Sequence, residues 1–171
     1  QYNTYHPGKV IMYLDEVATD ISSGYASLLA GLQTASQNQF SGFSDSTFNA
    51  LLNQVDTLAA SMKAAEEELI AASSLADFNL HLHLLELSKQ AAMVIYAYTN
   101  GDNSQNYRDR FMAENTLWWQ EQLGDAKAVV WGHNAHVAVS LNYGALGLHL
   151  RQRLGEEYVA LGFSFSRGDF T

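Results

Sequence analysis

The chain has no cysteine, a single proline and only nine lysines and arginines in 171 residues. Without Cys there are no disulfides, no thiolate nucleophile and no Cys-ligated zinc, while the compartment stays open, a cytoplasmic setting being the expected one. The basic residues are scattered and outnumbered by eighteen Asp and Glu, for a formal charge of −9. That argues against nucleic acid as a partner, since phosphate binding needs clustered Lys and Arg. No apolar run approaches the length of a bilayer crossing, and the N-terminus lacks the charged-then-apolar layout of a signal peptide, so no membrane partner is expected. Two families of motif are missing as well. No G-x-G-x-x-G or P-loop spacing occurs, so Gly144, Gly147, Gly155 and Gly162 are read as turn and close-packing residues rather than phosphate binders. The nucleophile elbow G-x-S-x-G is also absent, which removes support for a serine hydrolase of the usual α/β type.

What is present is ordinary for a soluble globular protein: 47% hydrophobic residues and 16% charged ones. With no Pro-rich or low-complexity linker and no tandem repeat, one domain or part of one is expected. Val10, Leu14, Val17, Ile21, Leu28 and Leu32 follow the helical repeat, predicting one long helix over 10–35, bent near Gly24. Residues 36–44 read as a loop. A second helix starts at the capping pair Asp45 and Ser46, with Phe48, Leu51, Leu52, Val55, Leu58, Ala59 and Met62 on one stripe, and continues through Ala72. Residues 75–98 are apolar nearly all round, the mark of an interior helix, and residues 100–104 end it with turn chemistry. The remainder alternates as helix 105–123, strand 127–132, a Gly-rich connection, helix 145–154 and strand 157–164. That order predicts an α/β fold, a mostly parallel sheet under a large helical layer, with 1–100 as the layer and 105–171 as the sheet-forming portion.

Two constellations carry chemistry. On the helix at 105–123, a projection at 100° per residue puts Phe111, Met112, Trp118, Trp119 and Leu123 on one arc, with Arg108 and Asn115 near its middle. A buried guanidinium needs a carboxylate, carbonyls or a substrate oxygen. Asp109 reads as a solvated or helix-start charge, and Glu114 either flanks the arc or pairs at the surface. The second constellation is Ala128-Val129-Val130-Trp131-Gly132-His133-Asn134-Ala135-His136, an apolar strand-like run emptying into two imidazoles and an amide. Ligands in α/β sheets bind beyond the carboxyl ends of strands. Three residues apart, His133 and His136 suit a general base, a proton shuttle or two metal ligands, and spacing does not choose among them. His81 and His83 point away from each other on their helix and are read as core or interface residues; His6 and His149 receive no role.

The ordered series Arg108-Asp109-Arg110-Phe111-Met112-Ala113-Glu114-Asn115, then Trp131-Gly132-His133-Asn134-Ala135-His136, then Leu154-Gly155-Glu156-Glu157-Tyr158 with Gly162, resembles the C-terminal half of the erythromycin esterase family. That family's pattern runs roughly RDxxMAEN, WxHNxH and LGxxYxxxG. The resemblance covers about residues 105 to 170. Gly132 departs from it, standing where members usually carry a side chain such as Ala. The resemblance implies an ester hydrolase in which imidazole activates water against a lactone or other small ester, macrolides being the named example. Neither an acyl-enzyme nor an obligatory metal is implied, and no cofactor. It assigns imidazole chemistry to His133 and His136, with His133 favoured, orientation of a neighbour or the water to Asn134, and carbonyl polarisation or carboxylate pairing to Arg108; Asn115 and Glu114 complete the site-supporting group. The helical layer would roof the cleft. Members also carry an upstream strand-end His and Glu, and no His-Gly-x-x-Glu occurs here. The chain, which begins at Gln1, is therefore expected to be part of a longer one whose upstream remainder is its partner. Two rivals stand beside this reading: a divalent-metal hydrolase using the same histidines with an upstream carboxylate, and a non-enzymatic helical binding protein whose histidines are structural.

Overall fold

The computed structural model describes residues 6–124, 126–139 and 144–164. They form eight α-helices: α1 His6–Val17, α2 Thr19–Gln37, α3 Asp45–Ala64, α4 Glu66–Ala72, α5 Leu75–Thr99, α6 Ser104–Gln122, α7 Asn134–Val137 and α8 Leu146–Leu154, followed by a 3-10 turn at Gly155–Glu157. The chain divides into two compact units, Gln1–Asp102 and Asn103–Thr171. Among the described residues no helix is long and apolar enough to cross a membrane.

In the first unit α5 packs against α1, α2, α3 and α4, which is why its sequence is apolar on most sides. Val10, Leu14, Leu32, Val55, Leu58, Met62, Phe78 and Leu85 form the centre of its core. Where one helix is expected over 10–35, the chain breaks at Ala18 (φ −156°, ψ 70°), and Gly24 lies inside α2. Ser22 explains the position of the break: its hydroxyl is buried just past it and donates to the Asp15 carboxylate at the end of α1. The next helix is likewise divided, at Ala65, because Glu66, Glu67 and Glu68 favour a new N-terminus there. Its start is capped one residue earlier than expected, by Ser44, whose Oγ accepts the Thr47 N–H at 3.2 Å. Between α2 and α3 the chain turns through Gln39 and Phe40, both at φ 53°, and Phe40 is held there by burial against Phe43, Phe48 and Tyr96.

Both histidines of α5 serve structure. His81 stacks on Tyr13 at 4.1 Å, and His83 is buried. Burial, with His6 nearby, pushes the His83 imidazole down to about 4. His6 is lowered too, by its own burial and by Lys9.

In the second unit α6 and α8 pack through Ala113, Leu146 and Leu150, with Met112, Leu117, Val130, Leu154 and Tyr158 around them. The expected α/β fold is not found: the described residues contain no strand and no sheet. The stretches read as strands, 127–132 and 157–164, have the right apolar composition but no ladder. Val129 is 92% exposed and Trp131 84%, and Val159, Leu161 and Phe163 are exposed as well. A strand is defined by its pairing, and among the described residues no backbone hydrogen bond joins the two stretches. Apolar content reported an affinity for burial, which periodicity cannot convert into a partner.

Candidate active site

Asp109 is the pivot. It lies one turn before Ala113 on α6, on the face that packs against α8, and is only 3% exposed. A buried carboxylate must be bonded. Its Oδ2 accepts the Leu146 N–H in the first turn of α8 at 3.1 Å and stands 2.8 Å from Nδ1 of His136. Its Oδ1 lies 3.6 Å from Nη1 of Arg108. The negative charge is therefore held by a helix N-terminus, a ring N–H and a guanidinium together.

The same contacts fix the tautomer of His136. Nη1 of Arg108 is 3.2 Å from Nε2 of His136, and a guanidinium can only donate. Nε2 is therefore the acceptor, the ring proton sits on Nδ1, and that proton is given to Asp109. Asp109 and Arg108, adjacent on α6, grip opposite nitrogens of one imidazole. The arrangement leaves a neutral ring with an oriented lone pair beside a cation whose side chain is about a third exposed.

The turn carrying His136 is held tightly. Tyr158 donates its hydroxyl to the Val137 carbonyl at 2.7 Å, and burial pushes the phenol up against the opposing charge of Arg151. Gly147 lies so close that a Cβ there would stand 2.1 Å from the Val137 oxygen and 2.7 Å from that of Ala138. Gly132 is different: a Cβ would meet only Val137 Cγ1 at 3.7 Å and His136 Cβ at 3.9 Å, so the departure from the family's pattern leaves room for the side chain that members carry.

The other expected site residues are placed as follows. His133 is exposed at the start of α7, where its Nδ1 accepts the Ala135 N–H at 3.1 Å as a cap. Asn134 makes the two bonds a neighbouring strand would make: Nδ2 donates to the Phe163 carbonyl at 2.5 Å and Oδ1 accepts the Phe163 N–H at 3.2 Å. Asn115 is half-buried on α6 with its Oδ1 shielded from solvent. Glu114 is exposed and pairs with Arg110 at 3.6 Å, one turn away. The arc drawn through Trp118, Trp119 and Leu123 is not the buried face, since Trp119 and Leu123 are exposed and the inward positions are Asp109, Phe111 and Ala113.

Asp109, which the sequence leaves between a solvated or helix-start charge and a site role, is thus buried at the centre, and Tyr158, which the motif contains without a role, bonds the turn beside it. A projection centred on Ala113, the small residue of α6 that admits another helix, would have brought Asp109 inside.

Among the described residues no three His, Asp or Glu side chains are grouped so as to hold a metal ion. A groove of about 430 Å³ in the first unit, lined by Ala30, Thr34, Phe40 and Phe43 among others, has no titratable side chain in its wall. The chemistry-bearing groups are those around Asp109.

No curated protein and no solved structure matches the chain. The family model for erythromycin esterase matches residues 2–171, which takes in the helical first unit as well as the motif-bearing second. On that match, over nearly its whole length and with the motif residues Arg108, Asp109 and His136 joined in one bonded group, the chain belongs to the erythromycin esterase family, a family of hydrolases.

Proposed function

We propose that the protein is a carboxylic ester hydrolase in which His136 activates water for direct attack on a lactone or other small ester. The observation that supports this most is the joint grip of Asp109 and Arg108 on the two nitrogens of His136. A general base needs a lone pair pointed at the reacting water, and the Asp109 carboxylate sets that direction by taking the Nδ1 proton. Arg108 contacts Nε2 where substrate would arrive. When its guanidinium turns to a substrate carbonyl oxygen, Nε2 is released to accept a proton from water, and the planar fork faces the developing oxyanion.

The steps balance without a covalent enzyme intermediate. Water oxygen bonds to the carbonyl carbon as its proton passes to Nε2. The carbon–oxygen bond to the leaving alkoxide then breaks, and the same proton is delivered to that oxygen. In this reading His133 supplies a second imidazole at the exposed start of α7, and Asn134 acts on the site by tying it to Phe163. The exposed Val129, Trp131 and Val159 suit packing against chain upstream of Gln1, which would bring the His and Glu that family members carry there.

The test is transient and steady-state hydrolysis of simple aryl esters and a lactone series by the full-length protein. Turnover without a stoichiometric burst of released phenol is expected. A burst, or no hydrolysis of any ester, would overturn the reading.

A further inference from the structure

The backbone that follows His136 is gripped from two directions by residues that touch no reacting group. The Tyr158 hydroxyl approaches the Val137 carbonyl at 2.7 Å, and Gly147 presents a bare Cα to the same oxygen, where a methyl group would stand 2.1 Å away. Neither contact is needed to close α7, a single turn whose ends are already tied by His136 N–H and Val137 N–H to the His133 carbonyl and by Ala138 N–H to the Asn134 carbonyl. Nor does the hydroxyl serve packing: the Tyr158 ring lies against the Ala113, Leu146 and Leu150 cluster, and a phenyl ring would do the same.

We propose that Tyr158 and Gly147 are positioning residues for His136, clamping the Val137 peptide so that the imidazole reaches both Asp109 and Arg108. The geometric reason is leverage. The imidazole of His136 must meet Oδ2 of Asp109 at 2.8 Å and Nη1 of Arg108 at 3.2 Å at once, and a small rotation of the 137–138 peptide moves the ring off one partner or the other. α6 and α8 are joined by their own core, and Leu146 N–H ties α8 to the same carboxylate, so the clamp fixes the α7 turn to the element that already holds Asp109. As a statement about the base of a hydrolase the proposal rests on the function proposed above; as a statement about the imidazole it does not.

The experiment records the imidazole nitrogen and Nδ1 proton signals of the full-length protein labelled with 15N-histidine, those of His136 being identified by their loss in His136→Gln. Tyr158→Phe keeps the ring and removes the hydroxyl. The expected result is unchanged helicity, displaced or broadened His136 signals, and a kcat for aryl ester hydrolysis lowered on the order of tenfold to a hundredfold with KM nearly constant, the size of effect expected when a reacting group is misplaced by a fraction of an ångström. Gly147→Ala, crowding the same carbonyl, is expected to displace the same signals. Displaced signals in a protein that hydrolyses no ester would support the clamp while overturning the hydrolase reading. His136 signals in Tyr158→Phe that superimpose on the wild type would overturn the clamp.

Discussion

Oδ2 of Asp109 is shared between the first turn of α8, through the Leu146 N–H at 3.1 Å, and Nδ1 of His136 at 2.8 Å. One carboxylate oxygen therefore joins the packing of the second unit to the orientation of its candidate base. Fold and site are coupled at that atom, and the consequences can be measured separately.

Asp109→Asn keeps the shape and removes the charge. The amide no longer specifies which nitrogen of His136 holds the proton, and α8 loses the anion at its N-terminus. Hydrolysis is expected to fall by about a hundredfold or more, as for loss of a general base's tautomer. Stability is expected to fall by about 1 kcal/mol, the scale of a helix-terminus charge. Urea denaturation alongside kcat checks both; an unchanged rate would remove Asp109 from the mechanism.

Gly147→Ala and Gly132→Ala are predicted to differ sharply. A Cβ at Gly147 stands 2.1 Å from a backbone oxygen, so something must move, at about 3 kcal/mol, in the upper range for overpacking. At Gly132 a methyl group makes ordinary contacts, and the change is expected to be neutral or stabilising by about 0.5 kcal/mol through the unfolded chain. Denaturation midpoints of the two variants decide it, and similar midpoints would contradict the close approach of α8 to the α7 turn.

The first unit carries a pH dependence of its own. His83 is pushed down to about 4 from an ordinary value near 6.5, so between these the unfolded chain binds more protons than the folded one. The contribution of His83 to stability therefore falls as pH drops from about 6.5 towards 4 and levels off below, by an amount on the order of 3 kcal/mol. His6, lowered by burial and by Lys9, contributes with the same sign. Trp118, Trp119 and Trp131 all lie in the second unit, so the first is followed by circular dichroism rather than tryptophan fluorescence. His83→Gln is expected to flatten the curve; an unaltered slope would assign it to other groups.

How much was legible in sequence follows from what each signal depends on. Helices are local, so the periodic stripes of α3 and α5 and the turn after α5 are read correctly, and the divisions at Ala18 and Ala65 are missed only because they depend on Ser22 finding Asp15 and on a run of three glutamates. Strands are non-local, and the runs at 127–132 and 157–164 give composition without a partner. The histidine cluster and Arg108 stand out as residue types in an order. Asp109 does not, because it is buried where α6 packs against α8 through Ala113 and Leu146, residues whose meeting cannot be seen along the chain. Nearness to the expected strand end favours His133 in the sequence, whereas the partners that orient an imidazole stand at His136.

The most direct test of the account is therefore kcat/KM for aryl ester hydrolysis by His136→Gln and His133→Gln, measured side by side in the full-length protein. The account predicts that His136→Gln loses at least about a hundredfold and His133→Gln less than about tenfold, the first being the range for a general base. A larger loss at His133, or near-normal turnover in His136→Gln, would contradict it.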